Sequence, residues 1–323
     1  MAKVNTVLGT ISERDLGVTL MHEHITYGYA GWYADDTMAP YDREGIVKDA
    51  VATLNQLKPY GVKTFVDVTT NDTGRDAGLI KEVAEKSEMN IICSTGLYTE
   101  YEGAPAYFRS RMRIGGAVVE IADLFEKEIS QGISKTGVRA GVIKVATGNG
   151  NISKYEEKVL KAAARAQKAT GVPIITHTEN GTMGPEQADL LLAEGADPKR
   201  IMIGHICGAT DIKYHVNVLA KGVYISFDRI GIIMIHSDEL RKACIIGLAG
   251  IGYANRIMLS HDTIVRLLGR PRQTPVSAVP LMANWHPTHI FKNIIPALKA
   301  GGVTEEQINT MIVDNPRRLF AGE

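Results

Sequence analysis

The stretch Val18-Thr19-Leu20-Met21-His22-Glu23-His24 is an apolar, partly β-branched run that ends on two histidines flanking a glutamate. An open nucleotide-binding sheet needs a glycine-rich turn after its first strand, where phosphate approaches the backbone at a helix N-terminus. Here imidazoles stand where those glycines would be. They point instead to a closed barrel, which places its chemistry at the C-terminal ends of its strands.

Working outward from this first run at 18–22, seven more of the same kind follow at 63–69, 90–95, 141–146, 173–178, 201–205, 223–228 and 257–261. Most are near-continuously apolar, as parallel strands covered on both faces must be. Between them the period changes: Ile46, Val47, Ala50, Val51, Leu54 and Leu57 form one helical stripe, and 155–170 repeats it before Gly171 and Pro173. Further helices read at 79–88, 118–133, 186–194, 214–219, 237–248 and 288–298. Eight strands, each followed by a helix, specify an α/β fold, the (β/α)8 TIM barrel. Two segments fall outside the repeat. Residues 4–17 read as a short N-terminal hairpin, and 267–284, with Pro271, Pro275 and Pro280, as a long loop after strand 8 that would cover the catalytic face. Nothing resembles a linker, so 1–323 is expected to be a single domain.

The 36 Lys and Arg balance the 36 Asp and Glu, so no long-range field favours nucleic acid or an anionic membrane. No run of about 18 uncharged apolar residues occurs, and the N-terminal residues carry no apolar signal region. A cytoplasmic enzyme is expected. Cys93, Cys207 and Cys244 are odd in number and lie in apolar runs, which suits reduced core thiols rather than a disulfide framework.

The period of two directs His22 and His24 to one face and Glu23 to the other. An isolated pair of this kind is as well explained by polar core histidines. His177, near the end of run 173–178, and His205, at the end of 201–205, change that reading. Four imidazoles then converge on one rim, and imidazole suits zinc, iron, cobalt or nickel. Lys144 interrupts the apolar run 141–146, and an ammonium there needs a partner. Either Asp67 or Asp262 neutralises it, or burial deprotonates it and it reacts with CO2 to give an anionic carboxylate. Asp262 follows the eighth run and reads as a metal ligand and proton acceptor, or as a helix cap.

Together His22-x-His24, Lys144, His177, His205 and Asp262 resemble the phosphotriesterase family of the amidohydrolase superfamily. So do 16–24, 137–147 and the closing Asp314-Asn315-Pro316-Arg317-Arg318-Leu319-Phe320. The resemblance spans essentially the whole chain. It implies two divalent ions, zinc foremost with cobalt, manganese or iron as alternatives. His22, His24 and Asp262 would hold the more buried ion, His177 and His205 the more exposed one, and N6-carboxylated Lys144 would bridge them. It also implies a homodimer.

Two ions about 3.5–4 Å apart would share a hydroxide as nucleophile, with Asp262 taking its proton. The expected substrate is a small ester, lactone or organophosphate. Tyr98 and Arg229 resemble the lactonase branch, so a lactonase with promiscuous phosphotriesterase (aryldialkylphosphatase) activity leads. In that branch Tyr98 would position the scissile carbonyl and Arg229 orient it; alternatively, the two brace the loops through an intervening aspartate. Arg266, in the loop after strand 8, would add a cation at the mouth and favour an anionic lactone. A phosphotriesterase proper, an amidase for small N-acyl compounds, and a catalytically silent metal-binding barrel are the competing readings.

Overall fold

The computed structural model describes residues 2–271 and 275–323. Strands β1 (Lys3–Thr6) and β2 (Gly9–Ser12) form the expected hairpin. The main sheet contains β3 (Val18–Tyr27), β4 (Val62–Asp67), β5 (Asn90–Leu97), β6 (Val142–Thr147), β7 (Ile174–Thr178), β8 (Ile201–Ile203), β9 (Tyr224–Phe227), β10 (Ile257–Leu259) and β11 (Ile264–Leu267). Its order is β10-β9-β8-β7-β6-β5-β4-β3-β11, and every neighbouring pair is parallel. Helices intervene between successive strands from β3 to β10, giving the TIM-type α/β barrel.

The eighth barrel strand is broken. β10 pairs with β9 and β11 pairs with β3, so the four residues between them carry the chain across the seam. The backbone N–H of Asp262 donates to His22 O (3.0 Å), and that of His24 donates to Thr263 O (2.8 Å). Catalytic candidates at both ends of the barrel sequence thereby meet.

A second irregularity lies in β3. Leu20 faces Phe65 and Glu23 faces Asp67, so three steps on β3 match two on β4. One extra residue is a β-bulge, a device that re-aims side chains beside active sites. Met21 packs in the lumen cluster while His22, the next residue, lines the cavity above it. Simple alternation could not place both inward.

That lumen cluster takes an apolar residue from each barrel strand, among them Val66, Ile92, Val142, Ile175, Met202, Tyr224 and Met258. Val4 and Leu16 join it from the N-terminal segment, and Leu319 and Phe320 from the C-terminal helix Asn315–Ala321. The barrel is therefore a packed core, not a pore. Asn315 in the same helix donates to Ala254 O (2.9 Å) and Ile257 O (2.7 Å), fixing the start of β10. The larger core fills the layer between strands and helices.

The first strand runs five residues beyond its expected end at 22, because β11 pairs with the extension. Of the expected loop 267–284, residues 272–274 lie outside the described residues; the rest begins within β11 and carries short helical turns at Val276–Ala278 and Pro280–Met282. The helix expected at 288–298 opens with a wide π turn, Ile290–Ile294, before Ile295–Ala300. Pro296 has no N–H to give the preceding turn, which accounts for the wider pattern there. Helices Ala106–Arg111 and Glu305–Asn309 were not expected from the apolar period; each is too short to show one. Cys93, Cys207 and Cys244 are free and buried.

Candidate metal centre

Five barrel strands, or the residues directly after them, bring His22, His24, Lys144, His177, His205 and Asp262 to one cavity of about 310 Å3 at the C-terminal mouth of the barrel. Ligand atoms of His22, His205 and Asp262 all lie within 4.8 Å of one another. Asp262 Oδ1 is 3.1 Å from His24 Nε2 and 3.7 Å from His22 Nε2, and its Oδ2 is 3.6 Å from His205 Nε2. Three imidazoles thus turn Nε2 toward one carboxylate.

Their opposite nitrogens are held. Asp228, at the end of the seventh barrel strand, meets His22 Nδ1 at 2.6 Å and His205 Nδ1 at 2.9 Å. It also accepts the backbone N–H of His205 at 2.8 Å, fixing that residue in the left-handed conformation (φ 56°). His24 Nδ1 is 2.8 Å from Thr69 Oγ1. Metal-ligating histidines are oriented in this way, with a carboxylate or hydroxyl on the far nitrogen and the near one aimed at the ion. The donor set fits a divalent ion held by nitrogen and carboxylate. His177 is placed differently: its Nδ1 lies 3.2 Å from the Tyr98 hydroxyl and its Nε2 2.9 Å from Glu179.

Lys144 does not pair with Asp67, which instead accepts the N–H groups of Ile25 and Thr69. Its amine sits 2.9 Å from His22 Nε2 and donates to Thr176 O at 3.1 Å. Burial pushes it down to about 7, against the opposing pull of Asp262. Burial likewise holds His22 and His205 below the ordinary histidine value, reinforced by Lys144 and Arg229 respectively. His177 is pushed down to about 4 by burial. Neutral imidazole is the form that ligates. Burial opposes ionisation of Asp262, yet the surrounding imidazoles hold it well below the usual carboxylate range.

The Phosphotriesterase family model matches residues 2–320. A "Phosphotriesterase homology protein" of Mycobacterium tuberculosis (strain CDC 1551 / Oshkosh) is 39% identical over 324 residues, covering 99% of this chain and 98% of the relative. The chain belongs to the phosphotriesterase family. The solved "Organophosphorus Hydrolase from Deinococcus radiodurans" superposes with a TM-score of 0.97 at 46% identity, covering 99% of this chain and 97% of that one. A structure described as "Molecular Engineering of Organophosphate Hydrolysis Activity from a Weak Promiscuous Lactonase Template" has a TM-score of 0.96 at 44% identity, covering 99% and 100%.

This phosphotriesterase-family chain is accordingly a metal-dependent hydrolase, and the cavity walls define what can reach the candidate centre. Tyr98 and Arg229 both line the cavity. Arg229 Nε donates to Asp262 Oδ2 at 3.3 Å, and its Nη1 is 3.8 Å from Glu179. Ile232, Met234, Ile235 and Ile264 supply apolar wall. Arg266 does not join them. Its guanidinium pairs with Asp49 on helix Arg43–Leu57, and it lines a separate small recess on the outer side. The expected cation at the mouth is therefore corrected: a carboxylate from a helix more than two hundred positions away holds it aside.

Sequence reasoning passed over four residues that shape the centre. Asp228 ends an apolar run, the same signal that exposed His205. Glu23 is a charge inside a buried strand, and that alone marks it. Glu179 and Trp285 lie in loops and carry no such mark; the Trp285 indole donates to His261 O (3.1 Å) and Asp262 O (3.2 Å).

Proposed function

We propose that the chain is a binuclear-metal lactonase with promiscuous phosphotriesterase activity. The carrying observation is the junction of Tyr98 and Arg229 with the ligand cluster: the hydroxyl lies 3.2 Å from His177 and the guanidinium 3.3 Å from Asp262. A phenol and a fixed cation beside a ligand set suit a carbonyl whose oxygen gains charge in the transition state.

His22, His24 and Asp262 would hold one ion, His177 and His205 the other, and Lys144, carboxylated at Nζ, would serve both. Zinc is the leading choice for this donor set, with cobalt, manganese or iron as alternatives. Two such ions supply Lewis acidity at the carbonyl or phosphoryl oxygen and bring water toward neutral-pH ionisation. Asp262 accepts the proton of the attacking water, and Arg229, already bonded to it, orients its carboxylate. Tyr98 donates its hydroxyl hydrogen to the substrate's carbonyl oxygen. Ile232, Met234, Ile235 and Ile264 pack against the alkyl part of the lactone. Trp285 ties the segment after β11 to the backbone of Asp262 and narrows solvent access.

Side-by-side kinetics on neutral lactones of graded chain length, paraoxon and N-acyl amino acids test this reading. Higher kcat/KM on lactones than on paraoxon is expected. Paraoxon equal to or above every lactone would make it a phosphotriesterase proper, and preference for N-acyl amino acids an amidase. No hydrolysis of any compound would favour a silent metal-binding barrel.

A further inference from the structure

Glu23 sits between two candidate ligands yet faces away from them, fully buried. Its Oε1 accepts the Ser260 hydroxyl (2.8 Å), the His261 backbone N–H (2.8 Å) and His261 Nδ1 (3.0 Å). Its Oε2 accepts the Thr263 backbone N–H (2.8 Å) and the Thr263 hydroxyl. All five donors come from the four-residue break between β10 and β11, the segment that carries Asp262. Five donors on two oxygens engage the full acceptor capacity of an ionised carboxylate.

The break is held from the other side as well. Ser260 Oγ, while donating to Glu23, accepts the His22 backbone N–H at 3.0 Å. His261 Nε2 accepts the Ile290 N–H at 3.1 Å, which makes its Nδ1 the protonated nitrogen. Inside this clasp Asp262 adopts φ 56°, a left-handed conformation that is uncommon for non-glycine residues and that the surrounding bonds hold in place here. With Asp262 so turned, its carboxylate faces His24 and His22 rather than following the strand outward. Asp228 does the same for His205 from the neighbouring strand. The parallel is close: a buried carboxylate from one strand sets a left-handed candidate ligand just beyond the end of another.

We propose that Glu23 is a positioning residue for the metal centre, acting through the 260–263 break to set the Asp262 carboxylate. The proposal rests on the reading of Asp262 as a ligand. Glu23 itself touches neither metal nor substrate. A glutamine has the same shape but offers one acceptor oxygen, so Glu23→Gln leaves at least two of the five donors unmet and frees the break to rotate.

The test is zinc affinity of the full chain, measured by chelator competition, with kcat and KM on the preferred substrate and the visible spectrum of the cobalt-loaded protein. For Glu23→Gln, zinc binding about 10–100-fold weaker is expected, with kcat falling and KM within about twofold, and with an altered cobalt spectrum. In an Asp262→Asn background the same substitution should add no further loss of zinc affinity, because the two act as one unit. Wild-type zinc affinity and cobalt spectrum in Glu23→Gln, or losses that multiply in the double variant, would overturn the proposal. Should Glu23→Gln fail to fold, Thr263→Val removes one donor without stranding another. A smaller loss of affinity, again absent in the Asp262→Asn background, supports the proposal, and unchanged affinity overturns it. Asp262→Asn alone separates the two claims: if it binds zinc as the wild type does, the ligand assignment itself falls.

Discussion

The floor and the wall of the cavity are built by opposite rules. On the floor, His22, His205, Lys144 and Asp228 are almost wholly buried, and the imidazoles of His22, His24 and His205 are bonded at their far nitrogens to a side chain just beyond the end of another barrel strand. On the wall, Met234 is 55% exposed and comes from the loop after the seventh barrel strand, whereas the floor residues stand within barrel strands or directly after them. Rigid elements fix reacting groups closely, and loops vary what they meet. Chemistry and substrate choice should therefore separate when each region is altered.

The largest effect is expected at Asp228. Asp228→Asn leaves one oxygen to serve two imidazoles and the His205 N–H, so metal affinity should fall about 10–100-fold with kcat following. Equilibrium dialysis against zinc measures it; retention of wild-type affinity would erase the difference between floor and wall. Next comes Met234→Ala, which shortens the apolar wall. The ratio of kcat/KM for long-chain over short-chain lactones should change by roughly 10-fold or less, with metal content unchanged. A loss of metal in this variant would show that the wall also builds the floor. Arg266→Ala marks the small end. Its ion pair with Asp49 is half exposed, and such pairs contribute about 0–1 kcal/mol. Relative rates on anionic and neutral lactones should not move, and a selective loss on anionic ones would return Arg266 to the mouth.

The same contrast explains what was legible in the sequence. His22, His24, Lys144, His177 and His205 could be found because polar residues at the ends of apolar runs announce themselves, and the barrel places all strand ends together. Asp262 was legible for the same reason. The clasp around it was not: Glu23 meets Ser260, His261 and Thr263 from the far end of the chain, and only closure of the barrel makes them neighbours. The bulge before His22 left no trace either, since an apolar Met21 fits both faces. Arg266 misled because its partner, Asp49, belongs to a different element with no periodic link to it. The split of the eighth strand is similarly a product of pairing with β3 rather than of local propensity.

Metal content measured alongside hydrolysis tests the central claim most directly. The purified chain, dialysed against a chelator and then reloaded with zinc, should lose hydrolysis on removal and recover it as two ions per chain rebind. Full activity in metal-free protein, or recovery complete at one ion with no second bound, would contradict the binuclear account.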